Sequence, residues 1–219
     1  MLRAVLILLL LAAPAIAEES TILFASPASQ LVLEGSSNVA PWRCKGTGFD
    51  GRMDIAAPLS RINHLIDRIE DGNIVPLIAS PSSARFPQPA FRLRVPVTAL
   101  SCGNAKMERD LYRSLRADEF PAIEFRFTEL LGGVNHDIDA GSYHAKIAGV
   151  LSLAGVARNI RLDVDAQRIA PDRFRLRARL PLKMTDFRII PPTALFGAIK
   201  AKDDLTVRFD LVLQTGGAK

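Results

Sequence analysis

The sequence predicts an all-β protein, an antiparallel sheet of about eight strands with two helical excursions, and three observations predict it. From residue 91 onward, segment after segment alternates apolar and polar residues with a period of two. Two segments, near 58–70 and 104–116, switch instead to apolar residues at helical spacing. Few of the remaining connections are long enough for the crossovers that parallel strands need, so neighbours must run antiparallel. A sheet of eight strands can close into a barrel whose interior is filled by side chains or holds one small ligand.

Each strand shows its two faces in the sequence. Residues 30–36 and 39–49 read as two strands around the polar Ser36-Ser37-Asn38. Phe91, Leu93, Val95 and Val97 interleave with Arg92, Arg94, Pro96 and Thr98, and Ile123, Phe125 and Phe127 with Glu124, Arg126 and Thr128. Tyr143 to Leu153 is a looser version. Ile160, Leu162, Val164 and Ala166 oppose Arg161, Asp163, Asp165 and Gln167. Phe174, Leu176, Ala178, Leu180 and Leu182 oppose a cationic row of Arg173, Arg175, Arg177, Arg179 and Lys183, and Leu205, Val207, Phe209, Leu211 and Leu213 close the series. Such alternation buries one face and wets the other, so the apolar sets share an interior and the arginine row points out.

The helices are equally legible. Leu59, Ile62, Leu65, Ile66 and Ile69 recur at helical spacing until Asp71-Gly72-Asn73, and the Pro- and Ser-rich residues 76–90 read as a surface loop. Asn104 is a natural N-cap for a second helix with Met107, Leu111 and Leu115 on one face. Pro121 keeps the next segment extended. Pro191-Pro192 leads into Thr193-Ala194-Leu195-Phe196-Gly197, which reads as one helical turn.

The first residues read as a cleavable export signal: Arg3, an apolar run from Ala4 to Ala13, and Ala15-Ile16-Ala17 as the small-x-small site. Cleavage after Ala17 leaves residues 18–219 as a single β-barrel domain. The net charge of the 219-residue chain is +5, a mild excess that suits an anionic membrane surface; export makes nucleic acid a poor partner. Export also places the two cysteines, Cys44 and Cys102, where disulfides persist. Two cysteines permit one bridge.

Catalytic chemistry finds little support. His64 falls on a polar helix face, His136 in the loop Gly132–Asp137, and His144 on the polar side of its strand; none stands at metal-ligand spacing. No nucleophile elbow, phosphate loop or dinucleotide fingerprint occurs, so no catalytic residue, metal or cofactor is assigned. Asp186 and Asp203-Asp204 read as turn chemistry. The arginine row reads either as a stripe for anionic head groups or as a solubilising wet face. Trp42, Phe187 and Phe196 lie outside the alternation, where large aromatics gate a cavity mouth or plug a barrel end.

Two blocks, SCGNAKMERDLYRSLRADEFPAIEFRF (101–127) and LPLKMTDFRIIPPTALFGAIKAKDDLTVRFDLVL (180–213), resemble the YceI-like family of exported lipid- or polyisoprenoid-binding proteins. LEGSSNVAPW (33–42) and LSLAGVARNIRLDVDA (151–166) fit as well. The resemblance implies an eight-stranded antiparallel lipocalin-like barrel with a long apolar tunnel for an isoprenoid chain, in the periplasm and without catalysis. The chain departs from the pattern at Arg188, where relatives often carry Gly after Asp-Phe, at Ala40-Pro41 before Trp42, and in a longer 58–90 segment. With the inward faces assigned above, the expected ligand-binding set is Leu93, Val95, Phe125, Phe127, Leu162, Val164, Leu176, Ala178, Leu180, Phe187 and Phe209. Three functions compete: a carrier of a polyisoprenoid or quinone, an enzyme acting inside the barrel, and a structural or stress-protective envelope protein with a filled core. An open tunnel separates the first from the third.

Overall fold

The structure is a computed structural model that describes residues 19–70, 89–132, 134–137 and 141–216. The export signal and most of the 76–90 loop expected from the sequence lie outside the described residues. The strands are β1 (Thr21–Ala25), β2 (Gln30–Ser37), β3 (Pro41–Gly46), β4 (Asp50–Ile55), β5 (Ala90–Pro96), β6 (Leu100–Ser101) and β7 (Ala122–Leu130). They continue with β8 (Asn135–Asp137), β9 (Ser142–Leu153), β10 (Val156–Ala170), β11 (Arg173–Lys183), β12 (Thr193–Ala194) and β13 (Ile199–Thr215). Helix α1 spans Leu59–Glu70 and α2 spans Ala105–Ser114.

All the strand pairings are antiparallel, and they close into a barrel of eight staves. Three staves are broken strands. β1 and β2 run along β13 one after the other, with Ala25 opposite Leu213 and Leu31 opposite Phe209. β4 and β3 flank them in turn, and β5 with its continuation β6 flanks those. From β5 the ring passes through β7, β9, β10 and β11 back to β13.

The breaks have local causes. Pro27 has no N–H to give the ladder, and the buried Ser29 repairs the gap from its side chain. Its hydroxyl accepts from Val212 N at 3.0 Å, while Ser26 N donates to Val212 O at 2.7 Å. The β9–β10 hairpin turns through Ala154 and Gly155, both at positive φ (49° and 79°), the pairing of signs that suits the twist of a two-residue hairpin.

The expected alternation holds on β5, β7, β10, β11 and β13, and the predicted helices form within a residue or two of their expected ends. Asn104 caps α2, its Oδ1 accepting from Lys106 N at 3.0 Å and Met107 N at 3.1 Å. Four readings change. His136 lies in the short strand β8 rather than a loop, stacked on Tyr143 at 4.6 Å. Thr193–Gly197 is a two-residue strand followed by a 3₁₀ turn with left-handed Leu195 and Phe196, because Ala194 pairs with Ile199 before the chain can wind. β1 and β4 were not anticipated, since each is short and Gly51 and Met53 blur the alternation of β4. Phe196 neither gates nor plugs the barrel; its side chain is fully exposed.

The arginine row is a wet face held by carboxylates. Arg175 makes a two-pronged pair with Asp210 (2.6 and 2.9 Å), which also lies 3.8 Å from Arg177, and Arg173 meets Asp172 at 3.9 Å. The aspartates near 186 and 203 do turn work, as expected. Asp203 accepts from Thr185 N (2.9 Å) and the Thr185 hydroxyl (2.7 Å), which together hold its carboxyl below the usual range, and Asp204 pairs with Lys183 at 3.0 Å.

Candidate functional site: an apolar lumen with two unlike ends

The barrel is hollow. Its interior holds two adjoining chambers of about 400 and 460 Å³, each within the range of about 300–1,000 Å³ typical of ligand sites. Leu93, Phe125, Leu151, Leu180 and Phe209 border both chambers and form the waist between them. Gly149 stands behind that waist. A Cβ built there would lie 2.3 Å from the Phe125 ring, so only glycine lets the ring lie flat against the wall.

All eleven residues expected to face a tunnel line this lumen. Val95 and Phe187 join the waist residues in the smaller chamber; Phe127, Leu162, Val164, Leu176 and Ala178 join them in the larger. Along β11 the lining runs Leu176, Ala178, Leu180 and Leu182, six residue steps or about 20 Å at strand rise. The lumen is therefore long as well as apolar. Sequence reasoning missed Leu31 and Leu33 on β2 and Leu151 and Leu153 on β9, while Trp42, expected at a cavity mouth or barrel end, lines the smaller chamber. The period-two pattern of residues 31–33 carried the signal for the first pair.

The two helices lie at opposite chambers. α1 turns Ile62, Leu65, Ile66 and Ile69 toward the larger chamber; α2 turns Met107, Leu111 and Leu115 toward the smaller. α1 is held by a polar latch. Arg168 on β10 pairs with Asp67 and Glu70, each at 2.6 Å; the Tyr143 hydroxyl donates to Glu70 at 3.3 Å, and Asn63 Nδ2 donates to Pro171 O at 2.8 Å. Burial, with the Glu70 carboxylate beside it, pushes the Tyr143 phenol up to about 12. α2 sits beside the Cys44–Cys102 disulfide. Its Glu108 accepts from the Ser101 hydroxyl (2.7 Å) and Cys102 N (2.9 Å), which hold that carboxyl below the ordinary range.

Polar residues also border the lumen: Ser37, Asn104, Lys106, Asp110, Ser114, Lys183 and Thr193 the smaller chamber, and Arg61 and Arg177 the larger, Arg177 from the outward face of β11. The waist and the rest of the wall are apolar. General acid–base chemistry needs a titratable group within hydrogen-bond reach of the reacting atom, and the mid-lumen offers aliphatic and aromatic carbon. Such a wall offers an apolar solvent.

A sequence profile of the YceI-like domain matches residues 61–213. The chain belongs to the YceI-like family. Two solved structures share the fold at low identity. A polyisoprenoid binding domain from Saccharophagus degradans, implicated in plant cell wall breakdown, is 12% identical with a TM-score of 0.59, covering 90% of this chain and 100% of that one. BcnA from Burkholderia cenocepacia is 14% identical with a TM-score of 0.56, covering 84% and 95%. No curated protein sequence matches the chain. Arg188, read from the sequence as a departure from the family pattern, adopts φ 57° and ψ 24°, a left-handed backbone that glycine takes without strain.

Proposed function

We propose that this YceI-like protein is a periplasmic, non-enzymatic carrier that holds a long apolar lipid, of the polyisoprenoid or quinone type, in its lumen. The observation that carries the reading is the apolar interior, two chambers of about 400 and 460 Å³ that share a waist of Leu93, Phe125, Leu151, Leu180 and Phe209. Each CH₂ that leaves water for such a wall gains about 0.8 kcal/mol, so a chain long enough to fill both chambers partitions into the barrel. The Saccharophagus neighbour is a polyisoprenoid binding domain, which agrees with this cargo, and the disulfide agrees with an oxidising compartment. The mature domain is residues 18–219, and its binding residues are the eleven lumen positions named from the sequence.

Purification of the mature protein from its own envelope without detergent, followed by solvent extraction and mass spectrometry, tests the reading. A stoichiometric isoprenoid or quinone lipid, unchanged on incubation with the protein, is the expected result. An empty barrel that also takes up no isoprenoid alcohol from detergent micelles removes the carrier reading.

A further inference from the structure

The large apolar side chains that the protein leaves in water are not scattered. Among the described residues, Val39, Ile169, Ile190, Leu195 and Phe196 are exposed, and four of the five surround the mouth of the smaller chamber. Val39 lies in the β2–β3 turn between Ser37 and Ala40, which line that chamber; Ile190 and Leu195 flank the lining segment Pro192–Ala194. Asn38 ties the two pieces together. Its Nδ2 donates to Ala198 O at 2.9 Å, its Oδ1 accepts from Lys200 N at 2.8 Å, and its own N donates to Lys200 O at 3.0 Å. The exposed side chains therefore form one lip. Ile190 is 84% exposed and the Phe196 ring entirely so, held outward by a backbone at φ 48° and 54° in two successive non-glycine residues. An exposed apolar cluster at a mouth marks an interaction site.

The charges around the lip choose the partner. Lys106, Arg188, Lys200 and Lys202 are exposed beside the mouth and make no ion pair among the described residues. Lys183 is spent on Asp204, Asp110 on Arg113 and Asp203 is bound to Thr185, while Asp186 makes no ion pair among the described residues. The lip is thus apolar at its centre with an excess of bare cations. We propose that the lip of Val39, Ile190, Leu195 and Phe196 is a docking surface that seats the mouth of the smaller chamber on an anionic phospholipid bilayer. The inference rests on the carrier reading for its purpose: a mouth sunk into the bilayer lets an insoluble chain pass without crossing water. Its chemistry rests on the lip alone. Apolar side chains enter the acyl boundary while lysine and arginine meet the head groups.

Sedimentation of the mature protein with vesicles of phosphatidylcholine, alone or mixed with phosphatidylglycerol, tests the surface. The wild type should sediment with the mixed vesicles and remain in solution with phosphatidylcholine alone. Leu195→Ser with Phe196→Ser should weaken binding at least about tenfold, and Lys200→Gln and Lys202→Gln about fivefold each. All variants should melt like the wild type and take up geranylgeraniol from detergent micelles as it does. A wild type that ignores the mixed vesicles, binds them no less after these substitutions, or uses the lip to self-associate overturns the docking surface. Micelle uptake without vesicle binding leaves the carrier standing, and vesicle binding without micelle uptake removes the carrier and keeps the surface.

Discussion

The two ends of the barrel are built on opposite principles. At the larger chamber, α1 is fastened over the lumen by Arg168, Tyr143 and Asn63, charged and polar groups that meet partners on the helix or the β10–β11 turn. At the smaller chamber a covalent bond fixes the frame through Cys44–Cys102, while the rim offers unpaired cations, exposed apolar side chains and left-handed backbone at Arg188, Leu195 and Phe196. The α1 end is tied down by ion pairs, although Asn63 Oδ1 and His136 Nε2 are buried there without a hydrogen-bond partner among the described residues, whereas the α2 rim leaves cations and large apolar side chains in water. The contrast supports reading the α1 end as the floor of the lumen and the α2 end as its mouth.

The largest expected effect comes from the staple. Replacing Cys44 and Cys102 by serine should cost about 4 kcal/mol of stability, the loop-closure estimate for a separation of 58 residues. Denaturant midpoints measure the loss, and hydrogen exchange should rise first in β3, β6 and α2. Equal loss of protection in α1 would mean that the two ends are not independent. The latch is weaker. Arg168→Met should cost about 1–3 kcal/mol, the range for hydrogen bonds to charged groups, discounted for its partial exposure. Its exchange signature should be the reverse, with α1 loosened and α2 unchanged.

Smaller effects sharpen the contrast. Phe196→Gly should raise stability by about 1 kcal/mol or less, because glycine takes φ 54° without the side-chain clash. A loss of stability would show that the ring packs where the structure has it exposed. The smallest effect is a titration. Tyr143 is raised from the ordinary 10 to about 12, so the stability its protonated hydroxyl contributes is complete below pH 10. It drains as the pH rises toward 12. Glu70→Gln should bring the tyrosinate transition, followed by ultraviolet absorbance, back toward 10. An unmoved transition would show that Glu70 does not touch the phenol.

Much of this was legible because a barrel wall is a period-two object. Once Leu176, Ala178 and Leu180 were set opposite Arg175, Arg177 and Arg179, register fixed the facing of the whole strand, and the lumen set followed. β1 and β4 were hidden for the same reason: five or six residues with a glycine or methionine in them carry too little alternation to count. The lip was hidden differently. Leu195 and Phe196 read as part of one helical turn, and their exposure goes with left-handed φ values that side-chain periodicity does not encode. The arginine row, singled out in the sequence as a candidate anionic contact, is partly neutralised by Asp210 on the neighbouring strand, a pairing that only the β11–β13 register reveals.

The central claim is that the lumen itself is the lipid's seat, and Ala178→Phe tests it most directly. Ala178 lines the larger chamber on β11 opposite Phe209, where a phenyl ring fills space that the cargo would occupy. In an empty lumen the added ring costs little; in a packed one it would cost about 1–3 kcal/mol. Wild type and variant, prepared side by side from the native envelope without detergent and compared by lipid mass spectrometry, should differ in one respect. The wild type should carry an isoprenoid-type lipid, and the variant, equally folded, should carry little or none. The same lipid in the same amount on both proteins would contradict the account.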